Sequence, residues 1–453
     1  MQKNSVEISP VMDKLSAYIA RALTTELPPE VIEKAKLHIL DTIAAIISGS
    51  RLLPGIKALA YARTQGGASE ALVLGSDLVT NVVTAALANG MAAHADETDD
   101  SHKASRSHPG CGVLPAALAL GERNNVGGTA LIRAVVLGYD IACRSTPALV
   151  TMALYEKGHA THSFASLFGS VSTASALCGL NQTQVRWALS YAAQQASGLT
   201  CWRRDRDHIE KAFDFGGMQA RNGVAAATMV ESGFTGVDDV LSGPRNFFMA
   251  FSSDPQPELL IDSLGSRFEI LDTNIKKWTT GTPCQAVLDS MQVLTREQGI
   301  TAGDVKKIRV RMSNLEADTV NNRDMPDICL QYLTSALLLD GDLTFHSAHD
   351  VERMRDPAIM DQRAKIELIS DTAIPRRKPI VEITTTAGKV LTHTTEAVRG
   401  TPENPMTREE VENKAYGLVE SILGAGRSRQ LIEAIRSLES AASVRDLRPL
   451  MMA

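Results

Sequence analysis

Over its first 260 or so residues this chain is a succession of helix-like segments, several of them apolar on nearly every side, and this limits its fold more than any other feature. A helix with one wet face carries a polar stripe, whereas a helix apolar all round must be enclosed by others. The segments fall at 31–47, 56–65, 81–95, 114–122, 129–148, 164–178, 183–196 and 217–231. Pro28 and Pro29 precede the first of them, as expected where a helix starts. Ala, Leu and Val fill the apolar positions and aromatic residues make up only 4% of the chain, which favours close-packed helices. At 453 residues, two or three domains are expected.

The pattern changes near residue 306. Ile308, Val310 and Met312 alternate with charged residues, the period of a half-buried strand. Strands at 366–369, 380–386 and 390–395 continue it, the last two forming a hairpin across Ala387-Gly388. Helices are expected at 285–297 and 330–339, and two final helices at 408–423 and 428–438. The expected fold is therefore mainly α. A large all-helical domain, 1–267 with 401–453 returning to it, carries a smaller α+β domain at 268–400. A cleft between two such domains is a usual place for a small-molecule site.

A net charge of -6 speaks against a nucleic-acid partner. The first ten residues lack the apolar core of a signal peptide and no run approaches 18 apolar residues, so no membrane is expected. Six cysteines without a CxxC pair read as reduced thiols of a cytoplasmic protein rather than as a disulfide framework or zinc site.

Residues 94–110, HADETDDSHKASRSHPG, place four acidic side chains, three histidines and four hydroxyls between apolar Ala-rich segments. Charges beside core-type helices need partners, protonation or a chemical task. If the preceding helix continues, His94, Glu97 and Ser101 share one stripe, while Asp96, Asp99 and Asp100 lie elsewhere to cap, pair or orient. The plainer alternative is a solvated helix end. Proline after His108 fixes that histidine in a defined loop position.

A second cluster holds His159 and His162 around Thr161. It leads into a Gly/Ser-rich stretch from Phe168, whose backbone N–H groups suggest an anion cradle if a helix starts there. A third, 202–211, reads mostly as an exposed charge run. Its last residue, Lys211, sits directly before Phe-Asp-Phe-Gly-Gly and an apolar helix, where it could anchor a carboxylate or act as a base. Lys276, Lys277, Trp278 and Thr279 form a fourth, weaker candidate. The run Asp96 to Asp100 also suits Mg²⁺ with substrate phosphates, but no second Asp-rich helix accompanies it, and no HExxH, P-loop or GxGxxG occurs.

These residues, taken in order, resemble the 2-methylcitrate dehydratase family (MmgE/PrpD), whose relatives include cis-aconitate decarboxylase and iminodisuccinate epimerase. The counterparts are Asn89-Gly90, His94-Ala95, Glu97, Asp99-Asp100-Ser101, His108-Pro109 and Leu114-Pro-Ala-Ala117. They continue with the histidine segment 157–180, Lys211 with Gly216, Asn222-Gly223 and the Gly-Phe-Thr-Gly of 233–236. Lys276-Lys-Trp278, Gln331-Tyr332 and Leu339-Asp-Gly341 complete the order. Three positions depart from the family pattern: Glu97 replaces Asp, Ser101 replaces Thr, and Asp214 stands where many relatives carry His.

The resemblance implies a large helical domain with a smaller α+β lid, a homodimer, and a site between the domains needing neither metal nor cofactor. By carry-over, Glu97, Ser101, His108, His159 and Lys211 are the catalytic candidates, and Lys276, Tyr332 and His162 bind substrate. The implied activity is a lyase of the 2-methylcitrate dehydratase type, acting on a hydroxylated di- or tricarboxylate. A cis-aconitate-type decarboxylase, a dicarboxylate epimerase, or a noncatalytic binder of small acids are the alternatives. All three reactions develop charge next to a carboxylate. Lys211, Lys276 and His159 would stabilise it, with His108 or Glu97 as base and His159 as proton donor.

Overall fold

The computed structural model describes residues 7–453, and the protein is mainly helical. Two compact units are present: residues up to Thr273 together with Val411–Ala453, and Asn274–Glu410. In the first unit we label α1 (Pro29–Gly49), α2 (Val82–Ala93), α3 (Pro109–Arg123), α4 (Gly128–Ala148), α5 (Thr161–Leu177) and α6 (Met218–Glu231).

Helix α5 is the axis of this unit. Nearly every residue along it is buried, and it packs against α3, α4 and α6 at once. Small residues make these approaches possible. A Cβ at Gly169 would lie 2.7 Å from the Gly138 carbonyl of α4, and one at Gly223 would lie 2.6 Å from the Val171 nitrogen. The scarcity of aromatic side chains is thus a packing condition: neighbouring helices sit too close for larger ones. Serines inside α5 return their hydroxyls to their own helix, Ser170 to the Ser166 carbonyl at 2.6 Å and Ser172 to that of Phe168 at 2.8 Å.

The Gly/Ser stretch from Phe168 therefore starts no helix. It lies in the middle of α5, its backbone N–H groups committed to the helix, so the anion cradle expected there does not form.

The second unit has a four-stranded sheet in the order β2-β1-β3-β4, with β1 (Val305–Met312), β2 (Ile366–Ser370), β3 (Ile380–Thr385) and β4 (Val390–Thr394). β1 runs parallel to β2 and antiparallel to β3. Its inward Ile308, Val310 and Met312 join Val381 and Ile383 in a core completed by α7 (Thr282–Gln298) and α8 (Leu330–Asp340). A register shift between Val305 and Lys307 lets two buried residues, Val305 and Ile308, lie three apart without breaking the inward face. Gly388, at φ 82°, turns β3 into β4. α9 (Arg408–Leu423) and α10 (Ala425–Arg436) close the chain. No single helix among the described residues is long and apolar enough to cross a membrane, and all six cysteines are unpaired.

Candidate active site

Helix α2 ends at Ala93, and His94 already leaves helical geometry at φ −116°, ψ 34°. The expected continuation that would align His94, Glu97 and Ser101 on one stripe is therefore absent. Local side-chain bonds compete with the helix here. Asp96 takes the Thr98 backbone N–H at 3.0 Å, and Asp99 reaches back to the His94 ring at 2.9 Å. The segment turns through 94–100 and becomes extended at Ser101–His102.

This turn sends three aspartates to three different places. Asp96 caps its own loop. Asp100 accepts from the Tyr139 hydroxyl at 2.6 Å, the His38 ring at 3.2 Å and the Gly110 backbone N–H at 3.1 Å. Gly110 must be glycine, since a Cβ would lie 2.7 Å from both Thr42 Oγ1 and Tyr139 Oη. Asp99 is fully buried and accepts from two imidazoles, His94 Nδ1 at 2.9 Å and His108 Nδ1 at 3.1 Å. The Asp-rich magnesium face considered from sequence does not assemble, because each carboxylate has a separate partner set.

A carboxylate only accepts, so both rings donate Nδ1–H to Asp99, and in the neutral imidazole the lone pair is then on Nε2. Burial opposes the charge on Asp99, yet the His108 and His94 imidazoles hold its carboxyl well below the usual carboxylate range. His94 is pushed down by burial against the pull of Asp99. His108 owes its position to the helix start: it is the residue before Pro109, the first residue of α3.

A ring platform completes the site. Gly90 of α2 and Gly216 meet so closely that a Cβ on Gly216 would lie 2.2 Å from the Gly90 carbonyl oxygen. The contact sets the π-helical turn Phe213–Gly217 against α2 and brings Phe215 onto the histidines. Phe215 stacks on His162 at 3.9 Å and on His94 at 4.4 Å, and His108 lies 5.5 Å from His162. The Lys211 ammonium sits 5.2 Å from the centres of both Trp202 and Phe215 and forms an ion pair with Glu97. His162 is pushed well below the ordinary imidazole range by burial, and then by His108 and Lys211.

Four of the residues expected from sequence thus meet: Glu97, His108, His162 and Lys211. Ser101 is buried two residues beyond Asp99. His159 is set apart, edge-on to Phe164 and Phe251 at 5.6 Å from each. Lys276 and Tyr332 belong to the second unit. Lys276 is buried, and beside it Gln285 locks the Trp278 loop by accepting from the Trp278 N–H and donating to its carbonyl. Tyr332 lies in that unit's core and donates its hydroxyl to the Ser347 carbonyl at 2.5 Å. Sequence reasoning missed His208, Trp202 and Phe215, and gave Asp99 no partner. Half of the run 202–211 is exposed, including Arg203, Arg204, Arg206 and Asp207, but His208 within it is buried.

Asp214 supplies a stability prediction. Burial raises its carboxyl from 3.8 to about 7, against the hydrogen bond that it accepts from Ser163 at 2.7 Å. The folded state therefore holds this proton more tightly than the unfolded chain. That contribution is fully present below about pH 4 and is lost as pH rises through about 7. Asp214→Asn should raise the melting temperature above pH 7, with the gain vanishing near pH 4. An equal effect at both pH values would contradict the burial of a protonated carboxyl.

A mainly helical protein with a buried imidazole–carboxylate–ammonium site belongs, by comparison with known proteins, to an enzymatic class of lyase or decarboxylase type. The model of the MmgE/PrpD N-terminal domain matches residues 13–260, and that of the C-terminal domain matches residues 278–440. The chain belongs to the MmgE/PrpD family. It is 26% identical to cis-aconitate decarboxylase of Homo sapiens, over 91% of this chain and 88% of that protein. It is 24% identical to the cis-aconitate decarboxylase-like protein oryM of Aspergillus oryzae, over 97% of each. The cis-aconitate decarboxylase of Aspergillus terreus is 23% identical, over 98% of this chain and 95% of that protein.

Proposed function

We propose that this protein is a metal-independent lyase that removes a proton next to a carboxylate of a hydroxylated di- or tricarboxylate and expels water, a reaction of the 2-methylcitrate dehydratase type. The observation that carries this reading is the His108 ring, held by Asp99 through Nδ1–H so that Nε2 is a base, beside the Lys211–Glu97 pair. The substrate carbon gives its proton to His108 Nε2, and the electron pair moves into the adjacent carboxylate as an aci-form. Lys211 stabilises that charge. The electron pair then returns to form the double bond as the hydroxyl leaves. His108 hands its proton to that hydroxyl, so one residue closes the proton balance and water departs. Ser101 orients the substrate hydroxyl, and His162 contributes to binding. His159 is not required as a donor in this scheme.

The second reading is loss of CO₂, favoured because the relatives above are named cis-aconitate decarboxylases. There a protonated His108 would deliver its proton to the carbanion left behind. The two readings differ in their pH limbs: water loss begins from a neutral imidazole and fails on the acid side, while CO₂ loss begins from an imidazolium and fails on the alkaline side. A homodimer is part of the proposal and is tested by sedimentation.

The test incubates chelator-treated protein with citrate, methylcitrate, aconitate and simple dicarboxylates, with products followed by mass spectrometry. Water loss from at least one hydroxy-acid, unchanged by chelator, is expected. Activity abolished by chelator and restored by Mg²⁺ would overturn metal independence. Binding without any turnover would reduce the protein to a small-acid binder.

A further inference from the structure

We propose that His94, His208 and Glu97 form a divalent transition-metal site, and that zinc held there blocks turnover by displacing Lys211 from Glu97. A ring nitrogen of each histidine and a carboxylate oxygen of Glu97 lie within 4.8 Å of one another, and all three residues are buried. Two independent features aim the rings at this point. His94 donates Nδ1–H to Asp99, which leaves Nε2 as its free donor atom, and that Nε2 is buried without a partner. His208 Nε2 is likewise buried without a partner, and its ring lies 5.3 Å from that of His94. A carboxylate behind a metal-binding imidazole is the usual support of such ligands, fixing the tautomer and raising basicity.

The chemistry suits zinc or cobalt: two imidazoles and one carboxylate, with a fourth position for water. Donor atoms around such an ion stand about 3.3–3.5 Å apart, given metal–ligand bonds of about 2.0–2.2 Å. A neighbouring trio, His94, Asp99 and Cys111, also lies within 4.8 Å, but is already committed. Both Asp99 oxygens receive ring N–H groups, and the Cys111 thiol donates to the His108 carbonyl at 3.0 Å.

Lys211 is the built-in competitor. Its ammonium now occupies Glu97, and a divalent ion would have to evict it. Metal capture does not depend on the proposed reaction, whereas inhibition of turnover does, so binding and activity are read separately.

Metal-free full-length protein is titrated with Co²⁺, followed by visible absorption, and then with Zn²⁺ in competition. Intense bands of four-coordinate cobalt, displaced by one equivalent of zinc, are expected. His208→Asn should weaken binding at least tenfold. Asparagine is chosen because His208 has φ 59°, a left-handed geometry that Asn adopts readily. Lys211→Ala, which frees Glu97, should tighten binding several-fold. Zinc should inhibit reversibly, and the inhibition constant should rise in His208→Asn relative to that variant's own zinc-free rate. Pale octahedral cobalt in the parent protein, or equal zinc affinity in all three proteins, would overturn the site. Zinc binding with the expected variant pattern but no turnover on any acid would leave the site standing and remove the proposed reaction instead.

Discussion

Replacing Asp99 with Asn should lower turnover by about 10³–10⁴-fold while leaving the helical unit folded. Asp99 accepts from His94 and His108 at once, and an amide offers one acceptor and one donor group to those two rings. One imidazole must then take the other tautomer, and if that ring is His108, Nε2 carries a proton instead of a lone pair. An Asp-to-Asn change that imposes the wrong tautomer in a Ser-His-Asp triad costs about 10⁴ in kcat. Because the carboxylate is buried, a stability loss of about 1–3 kcal/mol should accompany the change. Circular dichroism with denaturant titration separates this from the rate effect. Turnover within tenfold of the parent would show that catalysis does not depend on the charge of the Asp99 carboxylate.

Lys211→Ala should lower turnover by about 10²–10³-fold, by a different route. The ammonium lies 5.2 Å from the centres of Trp202 and Phe215, and loss of one preorganised stabilising group costs about 10²–10³ in rate. Removing it also strands Glu97, a buried carboxylate, and breaking a buried pair costs about 3–5 kcal/mol. Lys211→Met combined with Glu97→Gln removes both charges at similar volume. This double variant should recover most of the stability and none of the turnover. Recovery of both would mark the pair as structural only.

The scaffold was legible where packing and periodicity coincide. The alternation of Ile308, Val310 and Met312 is that of a strand with one face on a core, and β1 has it. The small residues of 164–178 imply a helix enclosed by others, and α5 is enclosed. The site was legible only as a set of residue types. Spacing drew His94, Glu97 and Ser101 onto one helical stripe, and side-chain capture by Asp96 and Asp99 ended that helix first. Such captures are decided by tertiary partners, above all the second ring, His108, that shares Asp99. His208 and Phe215 were invisible for a related reason. Phe215 enters through the contact of Gly90 with Gly216, a meeting of distant segments that no local pattern announces.

The central claim is that His108, oriented by Asp99, moves a proton next to a carboxylate. It is tested most directly by incubating the protein and its His108→Asn variant with methylcitrate and cis-aconitate in D₂O and measuring deuterium at carbons beside the carboxylates. The parent protein should introduce deuterium or form deuterated product, and the variant should lose this by at least 10²-fold while remaining folded. Equal deuterium incorporation by the two proteins, or neither deuterium nor any dehydrated or decarboxylated product from the parent on any acid, would contradict this role of His108.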